Sequence, residues 1–272
     1  RKIFLNYFLI FLAINVGVIA EVQGADDNAV NRLLPDGYAY SNSLRDIAMP
    51  DLYQSKLGLI LDRYYKEGLG GKVTWEKINS LMIKGKIKNI DGDFTYKAVL
   101  KKPNLLRIEI SNYKKEIIYS YDGKNAWHIS NKGEKAKLIN DEERIRELAN
   151  DAEFSSHLLY PFKRGKTIKY IGTERVDDNL CHVIRVRTDL NFELDYYVDV
   201  RKYIEVRVTK RDMSNPLNES RLVYSDYREV DGLSLAFNLE LEKNNEWHST
   251  IQIEEVKSNS GVLNWMFNLK NR

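Results

Sequence analysis

From Ser80 to Val256 the chain is built of short runs in which apolar side chains recur at every second position. The cleanest run is Leu233, Leu235, Phe237, Leu239 and Leu241, alternating with Ser234, Ala236, Asn238 and Glu240. Another sets Leu106, Ile108 and Ile110 against Arg107, Glu109 and Ser111. A period of two sends alternate side chains to opposite faces, so each run predicts a strand with one buried face. Asp91-Gly92, Asp122-Gly123 and Asp231-Gly232 separate neighbouring runs, as hairpin turns do. Runs this closely spaced pair with their sequence neighbours in an antiparallel meander. The expected fold is mainly β (α+β): an incomplete, strongly curved antiparallel β-barrel of about eleven strands, with helices covering the concave side. Such a sheet is larger than a small barrel filled by its own side chains, and it leaves a groove lined by Leu, Ile, Val and Tyr.

Helical patterns flank and interrupt the meander. Asp51 to Lys66 brings Tyr53, Leu57, Ile60, Leu61 and Tyr64 to one face, and Gly68, Gly70 and Gly71 stop it. The Gly-rich string after it is no phosphate loop. That motif needs Gly where Lys66 stands and Ser or Thr where Val73 stands. Thr74 to Asn79 adds a short helical turn. Asn140 to Asn150 reads as a second helix, with Asn140 as cap and Glu143 at the capping-box position. Phe154, Leu158, Leu159 and Phe162 follow it, as core packing or as a movable lid over the sheet. The tail at Val262, Leu263, Trp265, Met266 and Phe267 is expected to plug or staple a sheet edge, with membrane contact as the less favoured alternative.

The chain has 272 residues, 43% of them hydrophobic, which is ample for one large core. Its 42 basic and 39 acidic residues are interspersed, without the basic stripe of a nucleic-acid binder. Cys181 is the only cysteine, which excludes an intrachain disulfide and argues against structural zinc. His128, His157, His182 and His248 have no metal-ligand spacing, and Cys181 and His182 point to opposite faces of one strand. Asp195 and Asp199 share a face, as structural charge on a wet surface does. The reading is therefore of a non-enzyme with no catalytic residue, no metal and no cofactor. Arg1 and Lys2, the apolar stretch Tyr7 to Ala20 and the small residues Ala20 and Gly24 predict a secretory signal peptide over 1–24. Residues 25–50 read as a polar tether, and 51–272 as one domain.

The block from Lys101 to Trp127 carries a resemblance. Lys102-Pro103-Asn104-Leu105 at a strand entrance, followed by the hairpin Asp122-Gly123-Lys124-Asn125-Ala126-Trp127, resembles the LolA family of periplasmic lipoprotein carriers and its LolA/LolB/RseB-like relatives. Gly70-Gly71, Ile83-Lys84-Gly85, the string Gly172 to Asp177, and Tyr196-Tyr197-Val198-Asp199 follow the same superfamily in order, from about Leu52 to Phe267. The resemblance implies a periplasmic, monomeric carrier for outer-membrane lipoprotein sorting. It would shield lipoprotein or lipid acyl chains in an apolar groove, with an inner-membrane donor complex and an outer-membrane acceptor as partners. A regulatory, RseB-like protein sensing envelope lipids through a protein partner is the alternative. Within this reading Leu106, Ile108, Ile110, Trp127, Leu235, Phe237 and Leu239 line the groove, and Phe154, Leu158, Leu159 and Phe162 form its lid. Lys102 takes the position of the family's latch, where Arg is usual; Lys lacks the planar fork that binds several carbonyls at once.

Overall fold

A computed structural model describes residues 55–154, 156–158 and 165–269. One antiparallel sheet holds thirteen strands. The first six are β1 Ser80–Asn89, β2 Gly92–Lys101, β3 Leu105–Ser111, β4 Glu116–Tyr121, β5 Ala126–Ile129 and β6 Lys137–Leu138. The rest are β7 Thr167–Val176, β8 Asn179–Arg187, β9 Phe192–Asp199, β10 Glu205–Asp212, β11 Asn215–Val230, β12 Leu233–Lys243 and β13 Glu246–Ser258. Their spatial order is β6-β5-β4-β3-β2-β1-β13-β12-β11-β10-β9-β8-β7. Two meanders therefore run outward from the long-range pair β1–β13. The sheet is curved but open, since the end strands β6 and β7 do not pair. The strand count exceeds the expected eleven partly because β6 spans two exposed residues, too short to show a period.

Turn chemistry sets the register as expected. Asp231 and Gly232 both take positive φ, 52° and 78°, in the β11–β12 hairpin. Gly85 sits where the β1–β13 register shifts, and a Cβ there would stand 2.1 Å from the Gln252 carbonyl oxygen. Only glycine lets these two backbones approach so closely.

Among the described residues three α-helices accompany the sheet: α1 Lys56–Arg63, α2 Lys72–Lys77 and α3 Glu142–Asp151. A π-helical turn, Tyr64–Gly68, extends α1. Ser55 caps α1 by accepting from the Gly58 amide at 3.1 Å; the earlier residues of the expected helix lie outside the described ones. At Gly70 the chain takes φ +80°, and a Cβ would lie 2.1 Å from the Gly232 carbonyl oxygen. The Gly-Gly stop thus presses the helices onto the β11–β12 turn. The cap of α3 is Asp141, not Asn140. Its extended backbone lets the carboxylate accept from the Glu143 and Arg144 amides, and its negative charge suits the helix start. Glu143 consequently falls one position short of a capping box.

The two faces of the sheet are covered differently. Leu81, Ile83, Leu106, Ile108, Leu239 and Leu241 share one core with Ile60, Leu61, Trp75 and Leu148 of the helices. On the opposite face the C-terminal segment runs back over β2 to β5. Val262 and Phe267 pack with Val99 and Leu105, and Leu269 packs with Ile118, Trp127 and Ile129. The Phe267 carbonyl accepts from Trp127 Nε1 at 2.6 Å and from Ser120 Oγ at 3.2 Å. The tail therefore closes a sheet face rather than an edge, and most of β3, β4 and β5 is buried on both sides.

Candidate functional site

Leu106, Ile108 and Ile110 of β3 and Leu235, Phe237 and Leu239 of β12 all lie on the helix-covered face, buried in one continuous core. Trp127 does not join them. It shares its parity on β5 with Ile129, so it faces the C-terminal tail. Its neighbours Ala126 and His128 face the other way, and the His128 ring stacks on Tyr119. Of the four residues expected to form a lid, Phe154 and Leu158 belong to the helix-covered core. Leu159 and Phe162 lie outside the described residues.

The segment after α3 is fastened by packing, by hydrogen bonds and by the buried pair Glu153–Lys166 at 3.0 Å. Phe154 packs edge-on against Trp75, with ring centroids 6.1 Å apart. Lys102 Nζ stands 5.4 Å from the Phe154 ring centroid and donates to the Trp75 and Glu76 carbonyls at 2.9 and 3.1 Å. One ammonium thus joins the β2–β3 turn, the C-terminus of α2 and the segment after α3. Burial pulls its pKa below the ordinary lysine value, against the opposing pull of Glu76. Tyr65 Oη donates to the Leu158 carbonyl at 2.6 Å, and the His157 amide donates to Tyr196 Oη at 3.3 Å. Nearby, the Glu205 carboxylate accepts from Tyr64 Oη and its carbonyl from Tyr227 Oη. Burial raises the Glu205 pKa, while hydrogen bonds from Tyr64 and Ser156 oppose the rise.

Sequence reasoning missed the polar end of the same face. Lys243 follows Leu239 and Leu241 on β12 and, across the strands, is level with Ser220 of β11 and Lys210 of β10. Above this row lies α3, where Arg144 pairs with Glu147 at 2.8 Å and Asp151 meets Lys210 at 3.5 Å. Burial drives Asp151 up to about 7 against the attraction of Lys210, and pulls Lys243 down to about 8. His248, beside Lys243, is lowered to about 4. The available signal was the period itself, which carries the apolar row of β12 onto Lys243.

The remaining reactive side chains have structural surroundings. Cys181 is buried with Val176, Val183, Tyr197 and Val206, and burial pushes its thiol up to about 11. Asp195 accepts from Arg185 at 2.6 Å and from Arg211 at 2.9 Å. Asp199 Oδ1 accepts the Arg201 and Lys202 amides of the following turn. Among the described residues no group of His, Cys, Asp and Glu could hold a metal ion, and no helix is long and apolar enough to cross a membrane.

No family model and no curated protein matches this sequence. Solved structures do. A DUF1329 family protein from Desulfovibrio piger matches at 12% identity with a TM-score of 0.56. A LolA superfamily protein from Nitrosomonas europaea matches at 11% with a TM-score of 0.53. An outer membrane lipoprotein-sorting protein domain from Vibrio parahaemolyticus matches at 11% with a TM-score of 0.54. Each match covers 77% of this chain and 96% of the other. The chain has a LolA-like fold.

Proposed function

We propose that the chain is a periplasmic lipid- or lipoprotein-binding carrier of the LolA-like kind, delivered by the segment 1–24 and tethered by 25–50. The observation that carries this reading is the unbroken apolar face from β3 to β12, whose cover includes the segment after α3 through Phe154 and Leu158. In the structure that face is closed by the chain's own side chains, so cargo must exchange with part of the cover.

Magnitudes decide which part. An acyl chain of about fifteen carbons gains roughly 12 kcal/mol, at ~0.8 kcal/mol per buried methylene. Lifting Phe154 and Leu158 exposes two large side chains, at roughly 1.5–3 kcal/mol each, or about 3–6 together. Lifting Ile60, Leu61, Tyr64, Leu69 and Trp75 as well adds about 8–15 kcal/mol and cancels the gain. The segment around Phe154 to Leu158 is thus the lid, the helices α1 and α2 stay, and Lys102 is the latch on which both rest. Cargo opens the lid only by binding the open form better than the closed one. Release to an outer-membrane acceptor then follows from reclosure of the lid. Titration of the secreted form with a fluorescent fatty acid tests the reading: saturable binding at micromolar ligand supports it. Absence of saturation, with a protein partner captured and no lipid co-purifying, contradicts it.

A further inference from the structure

The apolar face does not stay apolar to its end. Along β12, Leu235, Phe237, Leu239 and Leu241 point to the helix-covered side, and the next residue of that row is Lys243. At about 3.4 Å per residue, Leu235 and Lys243 are roughly 27 Å apart along the strand. The strand surface is itself lengthwise amphiphilic. Lys243 makes no ion pair with any described residue, although Arg144, Lys210 and Glu147 act on it electrostatically. The cations Arg144, Lys210 and Lys243 gather here with the carboxylates Glu147 and Asp151, and Glu246 lies level with Lys243 on β13.

Uncommitted donors lie among these charges. Ser220 lies between Lys243 and Lys210, is fully buried, and its hydroxyl has no hydrogen-bond partner among the described residues. Ser249, level with Leu241, is equally buried and equally unpartnered. Arg144 Nε is buried without a partner as well. Buried polar atoms left unbonded cost stability, and a cation held half out of water costs more. Such a group is explained by a ligand that meets it.

We propose that this polar end binds the oxyanion of a single lipid head group, carboxylate or phosphate, whose acyl chain lies along the Leu241 to Leu235 row. The inference deepens the carrier reading and rests on it. Lys243 and Lys210 supply charge, and Ser220 and Ser249 supply neutral donors. The apolar face then measures out the tail. The carrier so described selects acidic amphiphiles over neutral ones of the same chain length.

Calorimetric titration of the full secreted chain tests this with three probes: a lysophosphatidic acid, the monoacylglycerol with the same acyl chain, and inorganic phosphate. The acidic lipid is expected to bind about tenfold more tightly than the neutral one, the scale of one charge-assisted hydrogen bond. Lys243→Met should bring the acidic lipid down to the affinity of the neutral one without lowering the melting temperature, and Ser220→Ala should do so in part. Equal affinities for the two lipids, or a preference that survives Lys243→Met, overturn the head-group site, leave the carrier reading standing, and assign the unbonded hydroxyls to internal water. Binding of neither lipid overturns both. Phosphate binding as tightly as the acidic lipid assigns the site to a free anion and overturns the head-group assignment.

Discussion

On the face turned away from the helices, the two halves of the sheet differ in kind. Across β2 to β5 that face is dry: Val99, Leu105, Ile118, Trp127 and Ile129 lie under the C-terminal segment. Across β8 to β11 it carries a ladder of ion pairs, Arg187–Glu193, Arg185–Asp195, Arg211–Asp195, Arg211–Glu219 and Arg221–Glu219. Both halves turn apolar rows to the helix-covered side. The difference teaches that the chain builds a large second apolar face where it has a segment to cover it, and across β8 to β10 only the small cluster of Cys181, Val183, Tyr197 and Val206. Elsewhere cross-strand charge keeps the surface wet and discourages association.

The largest break in this comparison comes from Trp127. It is fully buried and its indole N–H holds the Phe267 carbonyl at 2.6 Å. Trp127→Ala should cost roughly 3–5 kcal/mol in urea unfolding and free the tail to protease. On the wet half the counterpart is Asp195, which binds two arginines that keep one edge in water. Asp195→Ala should cost only about 1–2 kcal/mol, and high salt should shrink the difference from wild type.

Two aspartates sharpen the contrast through pH. Burial alone would raise Asp195, but hydrogen bonds and charge from Arg185 and Arg211 prevail and lower its pKa. Its contribution is full above the unfolded aspartate value and is lost as the pH falls through the lowered folded one. Asp151, under α3 on the other face, is raised to about 7 by burial despite Lys210. The native state holds that proton longer than the unfolded chain, so stability falls as the pH rises from about 4 through about 7. Asp151→Asn should flatten the fall in unfolding free energy over this window, whereas Asp195→Asn should leave that window unchanged and alter the acid limb. Smallest of all is the exposed pair Lys86–Glu254 on β1 and β13. Lys86→Ala should leave the unfolding midpoint unchanged, since charges in full water contribute little.

Much of this was legible in the amino-acid sequence, for reasons that also explain what was not. Period two placed Leu106, Ile108, Ile110, Leu235, Phe237 and Leu239 on one face, and Asp-Gly pairs placed the hairpins. Trp127 was misassigned because a hairpin signature locates a residue on a strand without giving its face. Parity with Ile129 and the consecutive Ile117-Ile118-Tyr119 of β4 carry that information. Asn140 lost the cap to Asp141 because either side chain can cap, and only the backbone decides which one does. The polar row Lys243, Ser220 and Lys210 is assembled from three strands. Its meaning needs the register, which local pattern does not supply.

In the proposed carrier an acyl chain replaces the segment after α3 while the helices hold. Hydrogen exchange of the full secreted chain, with and without saturating fatty acid, tests this most directly. The expected result is faster exchange at the amides of residues 152–158, with α1, α2, β3 and β12 unchanged or slower. Saturable binding that leaves 152–158 protected, or that opens α1 and α2 instead, would contradict it.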